Sequence, residues 1–230
     1  MNVAIIPARA GSKRIPKKNI KEFLGKPMIA YPIQIALKSA LFDKVIVSTD
    51  SNEIAKIAET LGAEAPFLRP TELADDYIGT TSVIKHALEM LLDSGYEPEL
   101  ICCIYATTPL LDTKYLKKGY EKIKDSNLDY VFSATTFPFP VQRAIKIDAH
   151  GLVSPLYPQH VTSRSQDLEE LYHDAAQFYW GTKKAWLSNS HTYLSKTSCV
   201  ILPRYAVQDI DTLEDWQRAE ILYQLVKNTN

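Results

Sequence analysis

Asn2 to Asn19 reads NVAIIPARAGSKRIPKKN, and its two parts follow different rules. The first, NVAIIP, is a short apolar run rich in β-formers and predicts a strand. The second, from Ala8 to Asn19, is a polar loop bearing Arg9, Lys13, Arg14, Lys17 and Lys18, with Gly11 permitting close backbone approach. Loops at the carboxyl ends of parallel strands are where open α/β sheets bind ligands. Several cations on one small loop suit a triphosphate and a departing pyrophosphate. The same residues also read as a solvated charged surface, so the loop alone does not decide the matter. It is not a Walker A loop, because Gly25-Lys26 lacks both the preceding glycine and the following Ser or Thr, and no GxGxxG occurs.

Outward from this loop, short apolar runs alternate with segments of helical period. A helix is expected from about 28 to 40, then a strand at KVIVS (44–48). The next helix, about 51 to 61, has Asp50 as candidate cap, Glu53 reaching back and Gly62 as stop. Helices at 81–93 and 113–125 and strands at 100–105 and 130–135 continue the pattern. It predicts an α/β fold, a mostly parallel sheet flanked by helices. From 137 to 172 the pattern dissolves: Pro138, Pro140, Pro155 and Pro158 exclude long helices, while VQRAIKI (141–147) reads as a strand. This stretch is expected to be an excursion from a single domain spanning 1–230. Strands at AQFYWG and CVILP follow, and a final helix opens near Thr212 with Trp216, Ala219, Leu222 and Val226 on one face.

Composition narrows the class. Of the 230 residues, 46% are hydrophobic and 23% charged, with a net charge of −1, which argues against a nucleic-acid or membrane-surface partner. The amino-terminal apolar run is too short for a signal peptide, and no stretch approaches the roughly 18 apolar residues that span a bilayer. Three cysteines fit no metal-ligand spacing, and Cys102 and Cys103 should point to opposite faces of one strand. Reduced structural cysteines in a cytoplasmic protein are expected.

The second chemical segment is QDIDTLED, 208–215. Along extended chain, residues two apart share a face, so Asp209 and Asp211 would present both carboxylates to one point. Two hard oxygen ligands, completed by water and substrate phosphates, suit Mg²⁺. Alternatively, Asp211 opens the following helix and complements its dipole. Weaker signals are STD (48–50), RPTELADD (69–76), and Thr80 and Thr81 at a candidate helix start.

In the order ARAGSKRIPKKN, VIVSTD, RPTELADD, YATTPL and QDIDT, the chain closely resembles the CMP–sugar acid synthetases over nearly its whole length. The resemblance implies a Rossmann-like nucleotide-diphospho-sugar transferase fold, CTP as donor, a nonulosonic acid as acceptor, Mg²⁺ as cofactor, and a homodimer joined through the 137–172 excursion. It implies that Arg9, Ser12, Lys13, Lys18 and Asn19 grip CTP, with Arg69 and Thr80 near the cytidine. Asp209 and Asp211 match the metal-binding aspartates, and Lys18 and Arg9 act with them in catalysis. Arg164 matches a basic residue at the sugar or leaving-group end. Sialic and legionaminic enzymes typically read QPTSP where this chain has Tyr105-Ala106-Thr107-Thr108-Pro109, and an RPNG-like stretch in place of the Gln177–Gly181 run. The strings CCIYAT and DAAQFYW resemble the pseudaminic acid branch. Tyr105, Arg164, Gln177 and Tyr179 are therefore the expected sugar-side residues, with an aromatic wall from Phe178, Tyr179 and Trp180 or, alternately, some of these in the core. Transfer to sialic, legionaminic or KDO-type acids, and a non-catalytic nucleotide-binding relative, are the alternatives.

Overall fold

A computed structural model of the chain describes residues 1–75, 78–188 and 191–229. In chain order the strands are β1 (Asn2–Pro7), β2 (Glu22–Phe23), β3 (Lys26–Pro27), β4 (Lys44–Ser48), β5 (Leu100–Ile104), β6 (Tyr130–Thr136), β7 (Ile145–Ile147), β8 (Val153–Pro155), β9 (Tyr172–Thr182) and β10 (Thr197–Ile201). The helices are α1 (Ala30–Ser39), α2 (Asn52–Thr60), α3 (Thr80–Asp93), α4 (Thr113–Ile123), α5 (Lys183–Leu187) and α6 (Leu213–Thr229). Six strands form one sheet in the order β10-β6-β9-β5-β1-β4. All run parallel except β9, which is antiparallel to both β5 and β6.

The sheet is buried on both faces, as its apolar strands require. One face carries Ala4, Ile6, Val45 and Cys102 beneath α1, α2 and α4; the other carries Val3, Ile5, Ile46 and Cys103 beneath α3 and α5. The adjacent cysteines therefore do face opposite ways, and both thiols are free. Phe178 and Trp180, two of the three rings in the expected aromatic wall, belong wholly to the core. Trp180 needs a glycine beneath it, since a Cβ at Gly119 of α4 would lie 2.7 Å from its ring.

Direction of chain decides where chemistry can collect. The carboxyl ends of β1, β4, β5, β6 and β10 open on one edge, and the antiparallel β9 brings its amino end to that same edge. Chain order reverses around β1, whose neighbours β4 and β5 lie on opposite sides, the switch point at which such sheets bind ligands.

Three local expectations need correction. Ser51, not Asp50, caps α2, its hydroxyl accepting from the Ile54 amide; Asp50 instead accepts from the Ala10 amide and ties down the basic loop. Gly79 occupies the cap position of α3, so Thr80 begins the helix and Thr81 follows. VQRAIKI is only half strand: Val141–Arg143 form a 3₁₀ turn after Pro140, and β7 pairs with β8 in a separate exposed hairpin. Residues 137–171 leave the sheet and expose Phe139, Ile145, Ile147, Leu152 and Val153. No described helix is long and apolar enough to cross a membrane.

Candidate active site

A small apolar cluster beside the main core builds the site. Ile15, in the middle of the basic loop, and Ile210, between the two aspartates, are both fully buried with Phe23, Met28, Tyr31 and Trp216. Burying each isoleucine contributes about 1.5–3 kcal/mol, and it pins residues far apart in sequence to one place. Lys18 then reaches the Ile210 carbonyl at 2.6 Å and the Asp211 carboxylate at 3.4 Å, while Arg14 pairs with Asp211 at 2.9 Å. Downstream, Asp215 fixes this turn by accepting from the Asp211 amide at 3.1 Å and from the Thr212 amide and hydroxyl at 2.8 Å.

The resulting cavity, about 460 Å³, lies at the carboxyl ends of β1 and β5. Arg9, Ser12, Lys13, Lys18, Asn19, Arg69, Thr80, Tyr105 and Asp211 all line it. Asn19 is also a brace, its amide donating to the Arg9 carbonyl at 2.9 Å. Asp209 stands outside this lining. Burial among neighbouring atoms first, and the Asp211 carboxylate second, raise its pKa, although much of the residue's own surface remains open. Lys17 turns away to Glu53 at 2.8 Å, so not every loop cation serves the cavity. Asp76, the last residue of RPTELADD, lies outside the described residues.

Arg69 is the most telling group. It is only 5% exposed, its amide donates to the Thr49 carbonyl at 2.7 Å, and its guanidinium Nε and Nη2 are buried with no hydrogen-bond partner. Desolvation, opposed by Asp50 and assisted by Arg9, lowers its pKa. Donors buried in this way cost about 1–3 kcal/mol each unless a ligand acceptor meets them.

The sugar-side expectations divide. Tyr105 lines the main cavity and a second one of about 180 Å³; Tyr179 lines the second. Gln177 lines neither: it is buried, and its amide donates to the Ala206 carbonyl at 2.6 Å. Arg164 sits in the exposed excursion, bound to Asp167 at 2.7 Å, and lines neither cavity of this chain. Arg14, passed over among the named site residues, lines the main cavity; its place in the basic loop was the available signal. Asp174 and Tyr193, which meet on the sugar side at 2.8 Å, carried no local signal because 19 residues separate them.

Known proteins resemble this chain over nearly its whole length. The sequence profile of the cytidylyltransferase family matches residues 3–229. A pseudaminic acid cytidylyltransferase of Campylobacter jejuni subsp. jejuni serotype O:2 is 46% identical over 224 residues, 97% of each chain. The CMP-N,N'-diacetyllegionaminic acid synthase of Legionella pneumophila is 33% identical over 236 residues, covering 97% of this chain and 96% of its own. Among solved structures, a CMP:2-keto-3-deoxy-manno-octonic acid synthetase complexed with CTP shares the fold, with TM-score 0.71 and 16% identity over 97% of this chain and 98% of that one.

Proposed function

The chain belongs to the cytidylyltransferase family, and we propose that it transfers CMP from CTP to the anomeric hydroxyl of pseudaminic acid, releasing pyrophosphate. The observation that carries the nucleotide half is Arg69, whose unpartnered buried donors face a cavity ringed by Arg9, Lys13 and Lys18. A polyanion supplies the missing acceptors. The 46% identity over 97% of a pseudaminic acid enzyme, against 33% to a legionaminic one, supports the choice of sugar.

In this reading the sugar hydroxyl attacks the α-phosphorus and gives up its proton to solvent, the bond from that phosphorus to the bridging oxygen breaks, and pyrophosphate leaves with the electron pair. Such transfers need alignment and charge neutralisation more than covalent help. Arg9, Lys13 and Lys18 hold the phosphates and offset the charge that builds on the leaving group. Ser12 and Asn19 line the floor, and Thr80 stands where α3 begins.

Mg²⁺ fits the donor set. Asp209 and Asp211 offer hard carboxylate oxygens, and the Asp211 carboxylate is close enough to add to the desolvation that raises the Asp209 pKa. Held by Asp209 and Asp211, the ion would supply positive charge to the phosphates and lower the pKa of the attacking hydroxyl. Lys18 and Arg14, which hold Asp211 in the structure, would then share it with the metal.

The reading also includes a cytoplasmic homodimer. Its support is the run of apolar side chains exposed on residues 137–171, Phe139, Ile145, Ile147, Leu152 and Val153 among them, and three free cysteines. The deciding experiment measures pyrophosphate release from CTP with pseudaminic, N-acetylneuraminic, N,N'-diacetyllegionaminic and KDO acids, with and without Mg²⁺. Metal-dependent release with a strong preference for pseudaminic acid is expected. Equal kcat/KM across the nine-carbon acids overturns the sugar assignment, and no release with any acid overturns the enzyme.

A further inference from the structure

Near the amino end of β9 the chain leaves regular geometry. Ala176 has φ +50, a left-handed conformation costing an L-residue of order 1 kcal/mol or more. Pairing with β6 shifts between Phe132 and Ala134. The distortion is held by the Ser133 hydroxyl, which accepts from the Gln177 and Phe178 amides at 3.1 Å each, and by Asp174 Oδ1, which accepts from the Ala176 amide at 2.8 Å. The other oxygen, Oδ2, accepts from the Tyr193 hydroxyl at 2.8 Å and from the Tyr179 hydroxyl. Three donors thus fix one carboxylate. Bulges of this kind re-aim side chains beside active sites.

Both phenols line the second cavity, together with Trp186 and with Thr80 and Tyr105, which also line the nucleotide cavity. The Tyr105 and Thr80 hydroxyls lie 3.1 Å apart, and the Tyr105 and Tyr179 ring centroids 5.6 Å apart. Because each phenol proton is directed at Asp174, Tyr179 and Tyr193 can act toward the cavity only as acceptors, and the Tyr179 oxygen also meets the Tyr105 and Tyr193 hydroxyls. Desolvation first, and Asp174 with it, hold both phenols well above their ordinary pKa, so they stay protonated at neutral pH. The wall therefore offers hydrogen-bond acceptors set among aromatic faces. An acylamino group has the matching parts, one N–H donor and one methyl.

We infer that Asp174 is a positioning residue: by fixing the Tyr179 and Tyr193 hydroxyls as acceptors, it makes the second cavity select an acylamino arm of the sugar. This rests on the proposed function, since it assumes that a sugar acid enters beside the nucleotide.

The test is steady-state kinetics with CTP, Mg²⁺ and pseudaminic acid on Asp174→Asn and Tyr193→Phe. Asparagine keeps the shape but supplies one acceptor oxygen where three donors converge. The KM for pseudaminic acid should rise about tenfold in Asp174→Asn while the KM for CTP stays within about twofold, and Tyr193→Phe should follow in the same direction by about threefold. The ratio of kcat/KM for pseudaminic acid over KDO, which lacks acylamino groups, should fall with it. An unmoved sugar KM, or sugar and CTP KM rising together, overturns the inference. Should Asp174→Asn not fold, Tyr193→Phe decides alone, because Tyr193 is 54% exposed and dispensable to the core. A wild-type enzyme that prefers KDO sinks the proposed function itself; an intact wild-type preference with unchanged variants sinks only the role of Asp174.

Discussion

The two cavities share Thr80 and Tyr105 yet are built on opposite principles. The cavity proposed for the nucleotide is a field of full charges, Arg9, Lys13, Arg14, Lys18 and Arg69 against Asp75 and Asp211, with its two distant ends tied together by burying Ile15 and Ile210. The second cavity is lined mostly by hydroxyls and rings, and the Asp174 carboxylate stands behind two of them, held by a distorted strand. Charge gives strong attraction with loose geometry, which suits a flexible triphosphate. Fixed hydroxyls give weak attraction with strict geometry, which suits discrimination between sugars of equal charge. On the proposed reading, affinity and selectivity are separated in space.

That separation is open to attack by mutation. The largest expected effect is that of Asp211→Ala, which should lower kcat by about 10³-fold with the melting temperature little changed, read by single-turnover kinetics and thermal melts. Near-native Mg²⁺-dependent turnover would remove Asp211 from the chemistry, and a changed sugar preference would erase the boundary between the cavities. Next is Arg69→Met: the KM for CTP should rise about 10- to 100-fold, the worth of one or two charge-assisted bonds. Its melting temperature should hold or increase, because buried unpaired donors are removed; a clear fall would make Arg69 a structural residue instead.

The smallest effect belongs to Asp215→Ala, which removes the brace behind Asp211 and should cost about 1 kcal/mol of stability with a few-fold loss of turnover. Burial by itself would raise the Asp215 acid, but the Thr212 hydroxyl and amide and the Asp211 amide outweigh it, and the pKa falls below the ordinary value. A depressed carboxylate stabilises above its unfolded pKa of about 3.9 and loses that contribution as pH falls through the lower folded value. Thermal melts should therefore separate wild type from variant at neutral pH and bring them together in strong acid. A gap that persists there would mean packing, not charge, is what the substitution removes.

The strand–helix alternation and the basic loop were legible because each is a local pattern, periodicity in one and clustered charge in the other; two-residue spacing brought only Asp211 of the acidic pair to the cavity. Also legible was the opposition of Cys102 and Cys103, since alternation along a strand is a property of the backbone. Less legible were the directions of individual side chains. Along 178–180 the alternation was legible but not its phase: Phe178 and Trp180 are the core members, and Tyr179 is the one that reaches a cavity. Gln177 read as a sugar ligand, but the bulge at Ala176 shifts the register and its amide goes to Ala206.

By itself, then, the sequence determined the sheet-and-helix class, the inventory of cations and carboxylates, and the edge of the sheet on which they had to gather. Only the tertiary structure decided which of them meet. Lys18 and Asp211 are separated by 193 positions and are joined because Ile15 and Ile210 leave water together. Tyr179 and Tyr193 serve one carboxylate because a strand bends out of register. The physical reason is the same in both cases: burial and backbone geometry act on the folded chain as a whole, and no short window of residues contains them.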